Sequence, residues 1–277
     1  MMTIMPGIKT QLKVLTVLVL ACIAGNTVAA KSISDLERTW IHAPVATPAN
    51  AAGRIAYFRM ATKQGKTFFG EYQGGKKPVV LYLHGCTGFN SSDREIIQQI
   101  ARAGYFVVAP DSMARQYRPR QCSGRKKKGG YSPFVFDFRQ AEINYAIDQL
   151  WREPWVDWDN LFIMGISEGA AATALYRGHF FRARVITQWT CHGAPLIRGL
   201  EGPKDTPILA VVRKNDPWYN REGSGQAGHC GAFFGDRPNS ESLQLEDGKD
   251  HNVMKDAGML EKIIDFLNAN QKPPSVE

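Results

Sequence analysis

Ser167, Asp216 and His251 have the residue types, and the order along the chain, that acyl transfer through a serine requires. A serine hydroxyl is a weak nucleophile, so it needs a neighbouring base, and the base needs an orienting acid. Ser167 sits in Gly165-Ile166-Ser167-Glu168-Gly169, after an apolar run and before a small-residue helical run. That is a tight strand–turn–helix, and the flanking glycines let its backbone take a strained path with strand and helix close together. The plain alternative for Ser167 is a helix-capping serine. Asp216 follows a predicted strand, Pro207–Val212, where it could instead cap a turn before Pro217. Glu222 and Asp236 are the fallback acids. His251 lies in a loop between the last short apolar run and the terminal helical pattern, and imidazole titrates near working pH. His229 and His192 compete as bases but adjoin Cys230 and Cys191. The backbone N–H groups of Glu168 and of Cys86, in His84-Gly85-Cys86-Thr87-Gly88, are the candidate oxyanion donors. His84 comes too early in the order to be the base, and reads as a brace for that loop.

These groups need elements to carry them. From Val79 onward, short apolar runs alternate with longer amphipathic ones, the pattern of an α/β fold with a doubly wound, mostly parallel sheet flanked by helices. Strands are expected at Val79–Leu83, Tyr105–Ala109, Leu161–Met164, Arg184–Thr190, Pro207–Val212 and Leu243–Leu245. Helices are expected at Asp93–Ala103, Asp137–Trp151, Glu168–Tyr176 and Ala257–Leu267. Upstream, Ile55–Met60 and Thr67–Tyr72 alternate well enough for two antiparallel strands. Residues 112–136, rich in Arg, Lys, Gly and Pro, read as a long inserted basic loop, and loops of that length are usually functional or disordered. Its Arg115, Arg118 and Arg120 read first as solvated side chains, and the run Arg125-Lys126-Lys127-Lys128 as a solvated loop.

Residues 1–30 have the form of a secretory signal peptide. Lys9 and Lys13 precede an apolar stretch from Val14 to Ile23, and small residues end in Val28-Ala29-Ala30. That stretch falls short of the ~20 residues a membrane span needs. Cys22 makes a weaker case for a lipoprotein cleavage box. The expected arrangement is a leader at 1–30 and one domain at 31–277, periplasmic or secreted. The whole chain carries 34 Lys and Arg against 26 Asp and Glu, a formal +8. No aromatic-basic motif for nucleic acid accompanies that charge. Export makes Cys86, Cys122, Cys191 and Cys230 candidates for disulfides with three possible pairings. Placement on the expected elements favours Cys86 with Cys122 and Cys191 with Cys230. A zinc site using His192 and His229 fits no compact spacing, and no cofactor is expected.

Leu81-Tyr82-Leu83-His84-Gly85-Cys86-Thr87-Gly88, Pro110-Asp111-Ser112, the Ser167 pentapeptide, Asp216 and Asp250-His251 together resemble the dienelactone hydrolase-like family of α/β-hydrolases. The resemblance spans roughly residues 54–268. It implies a serine hydrolase acting on a small-molecule ester or lactone. Characterised dienelactone hydrolases carry cysteine at the nucleophile position, so Ser167 shifts the expectation toward general ester or acyl hydrolysis, with the 112–136 insert as a lid. A peptidase or amidase with the same triad, and a catalytically idle exported binding protein, are the competing readings.

Overall fold

The computed structural model describes residues 33–178, 180–193, 197–220 and 224–273. The expected leader at 1–30, with Cys22, lies outside these residues, as does Glu222. No described helix is long and apolar enough to cross a membrane.

An eight-stranded sheet runs through the molecule. Its strands are β1 (Pro44–Ala46), β2 (Tyr57–Arg59), β3 (Lys77–Leu83), β4 (Phe106–Val108), β7 (Val156–Ile166), β8 (Arg184–Thr187), β9 (Ile208–Arg213) and β10 (Glu241–Leu245). A separate hairpin of β5 (Cys122–Ser123) and β6 (Lys128–Gly129) stands off it. The sheet order is β10-β9-β8-β7-β3-β4-β1-β2. Neighbours from β10 to β4 are parallel, and β1 and β2 close that edge antiparallel. The six parallel strands therefore end along one side of the sheet, where the serine, the acid and the base are expected.

Alternate side chains of the central strands enter opposite cores, as a sheet covered on both faces requires. Val79, Leu81, Leu83, Leu161 and Ile163 pack against α4 (Phe134–Leu150) through Ile143, Ala146, Ile147 and Leu150. Val80, Tyr82, Val107, Phe162 and Met164 pack against α3 (Ser91–Arg102) and α6 (Met259–Ala269) through Ile96, Ile97, Ile100, Ile263 and Leu267. Asn90 and Asp93 form a reciprocal capping box that starts α3. Truncating any of these fully buried Ile or Leu side chains to alanine costs about 2–5 kcal/mol.

Two expectations fail upstream of β3. Residues 63–71 form a helix, α2 (Lys63–Glu71), where a strand is expected. Thr62 caps it by accepting from the Gly65 N–H at 3.2 Å. Phe68, Phe69 and Tyr72 then pack on Phe58, Phe106 and Trp155, with Phe69 stacked 5.0 Å from Trp155. Tertiary aromatic packing outweighs the strand preference of Thr67-Phe68-Phe69. The antiparallel partner of β2 is instead β1, which follows α1 (Asp35–Ile41). The 112–136 insert is also more ordered than a plain loop: a short 3-10 turn at Ser112–Ala114, the β5–β6 hairpin and the first turn of α4 lie within it.

Candidate active site

Ser167 follows the last residue of β7 and precedes α5 (Glu168–Ala174), with φ 56° and ψ −111°. Positive φ is costly for a non-glycine residue and persists only where the surroundings enforce it. Here they do: the Ser167 N–H donates to the Thr187 carbonyl at 2.9 Å. A Cβ on Gly165 would collide with the Gly169 carbonyl oxygen, and one on Gly169 with that of Leu83. Neither glycine is replaceable without moving backbone. The fully buried alanines of α5 continue this close approach to the sheet.

Asp216, fully buried, lies three residues beyond β9. Its Oδ1 accepts from the Trp218 N–H at 2.9 Å, and its Oδ2 meets His251 Nδ1 at 2.6 Å. The turn-capping and His-orienting roles are thus both filled by one carboxylate. His251 Nε2 is buried and has no hydrogen-bond partner among the described residues. Ser167 and His251 line the same cleft, but no hydrogen bond joins them; catalytic contacts are often long before substrate binds. Asp236 is absent from the lining of both clefts that hold Ser167. The other competing histidines are occupied elsewhere. His229 Nδ1 pairs with Ser242 Oγ at 3.0 Å, and the His192 ring lies 4.8 Å from that of Phe233.

The loop bearing His251 is pinned from two sides. Arg213, at the end of β9, donates to the carbonyls of Asp250, at 2.9 Å, and Asp247, and to Asp256 Oδ1 at 2.6 Å. Asn252 donates to Ser92 Oγ at 3.0 Å and accepts from Gln188 at 3.3 Å. Neither residue is foreseeable from motif spacing; their partners are distant in the chain.

Cys86 and Glu168 both border the cleft that contains Ser167. Neither backbone N–H has an acceptor among the described residues. Cys86 is disulfide-bonded to Cys122, and Cys191 to Cys230, the pairing favoured by placement. With all four sulfurs bonded, no zinc site can use them, and no group of metal-ligating side chains occurs among the described residues.

His84 is a brace. Its Nδ1 lies 2.7 Å from the Gly85 carbonyl and its Nε2 3.1 Å from the Ser112 N–H, which fixes a neutral ring donating from Nδ1. Burial first, and then the Arg139 cation, hold its pKa well below the ordinary value.

Arg115 and Arg118 contradict their reading as solvated, whereas Arg120 and Arg125 are exposed as expected. The Arg115 and Arg118 side chains are 7% and 6% exposed. Arg115 Nε donates to Glu142 at 2.6 Å, and Arg118 pairs with Glu168 and donates from Nε to Ser112 Oγ at 2.9 Å. Arg139 completes this buried network, 3.5 Å from Glu142 and 3.8 Å from Glu168. Even so, desolvation raises the Glu168 carboxyl above its ordinary range, against the pull of Arg139 and Arg118. Long side chains in a basic stretch look solvated in a sequence; only their pairing with Glu142 and Glu168 buries them.

Tyr219 completes the constellation. It sits beside Ser167, donates to the Gln188 carbonyl at 2.9 Å, and burial pushes its phenol far upward, so the ring stays neutral. The Trp218 and Tyr219 rings flank His251, 5.2 and 5.9 Å from its centroid. The signal was present in Asp216-Pro217-Trp218-Tyr219, since aromatics next to a candidate acid lie near whatever it orients.

A family model described as the dienelactone hydrolase family matches residues 66–224, more than half of the chain. Among solved structures, a dienelactone hydrolase-like promiscuous phosphotriesterase from metagenomic libraries aligns with a TM-score of 0.53 and 14% identity. That alignment covers 82% of this chain and 98% of that one. A provisionally assigned dienelactone hydrolase from Klebsiella pneumoniae subsp. pneumoniae gives 0.50 and 14%, with the same coverages. At such identity the likeness is one of fold. A search of curated proteins returns no match.

Proposed function

The chain belongs to the dienelactone hydrolase family and is a hydrolase, and on that premise we propose that it cleaves carboxylic esters or lactones with Ser167 as nucleophile, His251 as base and Asp216 as orienting acid. The observation that carries the reading is the 2.6 Å contact of Asp216 with His251 Nδ1, in a cleft shared with the strained Ser167. Asp216 holds the imidazole with Nδ1 protonated, which leaves Nε2 free to accept the serine proton. The Ser167 oxygen bonds to the acyl carbon, and the N–H groups of Glu168 and Cys86 stabilise the oxyanion. His251 passes the proton to the leaving oxygen as the ester C–O bond breaks. Water, deprotonated by His251, then releases the acid and restores the serine.

The mature form in this proposal is a single domain, residues 31–277, exported after loss of the 1–30 leader. Two disulfides fit an oxidising compartment. The substrate is a small molecule, with no cofactor.

Hydrolysis of p-nitrophenyl butyrate by the protein and by Ser167→Ala tests the reading, alongside labelling by a fluorophosphonate. Turnover should fall by about six orders of magnitude, and the label should be confined to Ser167. Unchanged activity in the variant, or a label elsewhere, would overturn the assignment.

A further inference from the structure

Ser167 stands between two clefts that share Trp218 but differ in their other side chains, and His251 lines only one of them. The first is walled by Phe136, Trp189, Ile197, Trp218 and Tyr219. Its one charged side chain, Glu168, is already held by Arg118 and Arg139. The second is bordered by Thr87, Asn90, Ser92, Gln188, Asn252 and Lys127. Its two carboxylates are engaged, Asp93 by the Tyr82 hydroxyl at 2.6 Å and Asp250 by Lys255 at 2.6 Å. Ser92, Gln188 and Asn252 are bonded to one another, so the exposed Thr87, Asn90 and Lys127 side chains set its polar chemistry, beside the Trp218 ring.

The reaction assigns a direction to this asymmetry. The proton taken from Ser167 must reach the leaving oxygen through His251 Nε2, so the alcohol portion has to lie on the histidine side. The acyl portion, bonded to the Ser167 oxygen, is left with the aromatic cleft. Burying an apolar acyl group there removes apolar surface from water, which is favourable, and an aromatic one gains ring contacts as well. A polar alcohol in the other cleft exchanges hydrogen bonds with water for hydrogen bonds with side chains.

Resting on the serine hydrolase reading, we propose that the substrate is an ester of an aromatic or similarly compact apolar acid with a polyhydroxylated alcohol such as a sugar. The acyl group enters the Phe136–Trp189–Ile197 cleft and the alcohol the Thr87–Asn90–Lys127 cleft. The ester C–O bond breaks, the sugar hydroxyl leaves with the proton from Ser167, and water converts the acyl-enzyme to the free acid.

Four probes separate the two portions: benzoyl glucose, acetyl glucose, ethyl benzoate and decanoyl glucose. Benzoyl glucose should exceed both ethyl benzoate and decanoyl glucose by about tenfold or more in kcat/KM. Ile197→Phe, which narrows the aromatic cleft, should lower benzoyl glucose about tenfold and spare acetyl glucose. Gln226→Trp narrows the same cleft from a less buried position and should act alike if Ile197→Phe folds poorly. Thr87→Val should erode the preference for glucose over ethanol without changing the acyl preference. If the cleft variants move the alcohol preference and Thr87→Val the acyl preference, or if the four probes react alike, the proposal is wrong. Fluorophosphonate labelling of Ser167 keeps the two failures apart. A labelled serine with no such preferences defeats only the substrate assignment, whereas an unlabelled one defeats the serine hydrolase reading beneath it.

Discussion

The two halves of the cleft are held by different means. Ser167, Asp216 and His251 stand at or beyond the ends of β7, β9 and β10, where sheet topology and backbone sterics place them. The covering half, residues 112–131, reaches the site through side chains: Arg115 to Glu142, Arg118 to Glu168, Cys122 to Cys86, and the Ser112 N–H to His84. The sheet ends place Ser167 and Asp216 directly, whereas the His251 loop also needs Arg213 and Asn252 to hold it. A cover has to be tied down one contact at a time.

The largest effect that sharpens this contrast is on rate. Asp216→Asn should lower kcat by about 10⁴-fold, while Oδ1 still accepts from Trp218 and the melting temperature moves little. A collapse in melting temperature with modest loss of rate would make Asp216 a structural residue and break the comparison. Arg118→Met should instead strike stability, because Glu168 is left buried with only the more distant Arg139. A loss of about 3–5 kcal/mol in denaturant unfolding is expected, and a loss below ~1 kcal/mol would mean the cover is not anchored there.

The paired replacements Cys86→Ser/Cys122→Ser and Cys191→Ser/Cys230→Ser should each cost about 2–4 kcal/mol, since their loops are of similar length, 36 and 39 residues. Only the first pair should lower kcat/KM per folded molecule, because it alone joins the cover to the Cys86 loop. Equal activity losses would contradict that division.

The smallest effect concerns pH. The pKa of His84 is depressed by burial, so its contribution to stability is present above the unfolded value near 6.5. That contribution is lost as pH falls from there toward the depressed folded value, because the unfolded chain takes up the proton first. The unfolding free energy should therefore fall as pH drops below about 6.5, by up to ~1.4 kcal/mol per pH unit. The slope should flatten in His84→Asn; an unaltered slope would assign the acid sensitivity to other groups.

The same contrast explains what the sequence reveals. The parallel strands and their helices are readable because each is a local apolar period, and the Ser167 turn because its glycines are adjacent to it. Asp216 and His251 follow from order along the chain, and the structure brings them into contact. The α2 helix is misread because Thr67-Phe68-Phe69 favours a strand by local preference, and only Phe58, Phe106 and Trp155, brought together by folding, decide otherwise. β1 escapes notice because three residues carry too little periodicity. Arg118 with Glu168, fifty residues apart, and Arg213 with its partners 34 to 43 residues on, leave no local trace at all.

The order of the four bonded cysteines has a consequence for biosynthesis. Cys86 pairs with the next bonded cysteine in the chain, Cys122, and Cys191 with the next after it, Cys230. An oxidant meeting the polypeptide N-terminus first therefore makes each native bridge as its second thiol emerges, with no reshuffling needed. Cys22 is the exception written into the sequence. It precedes Cys86 in the sequence and would compete for it. Under the proposed export, loss of residues 1–30 before residue 86 emerges would make the shortest oxidative route also the correct one.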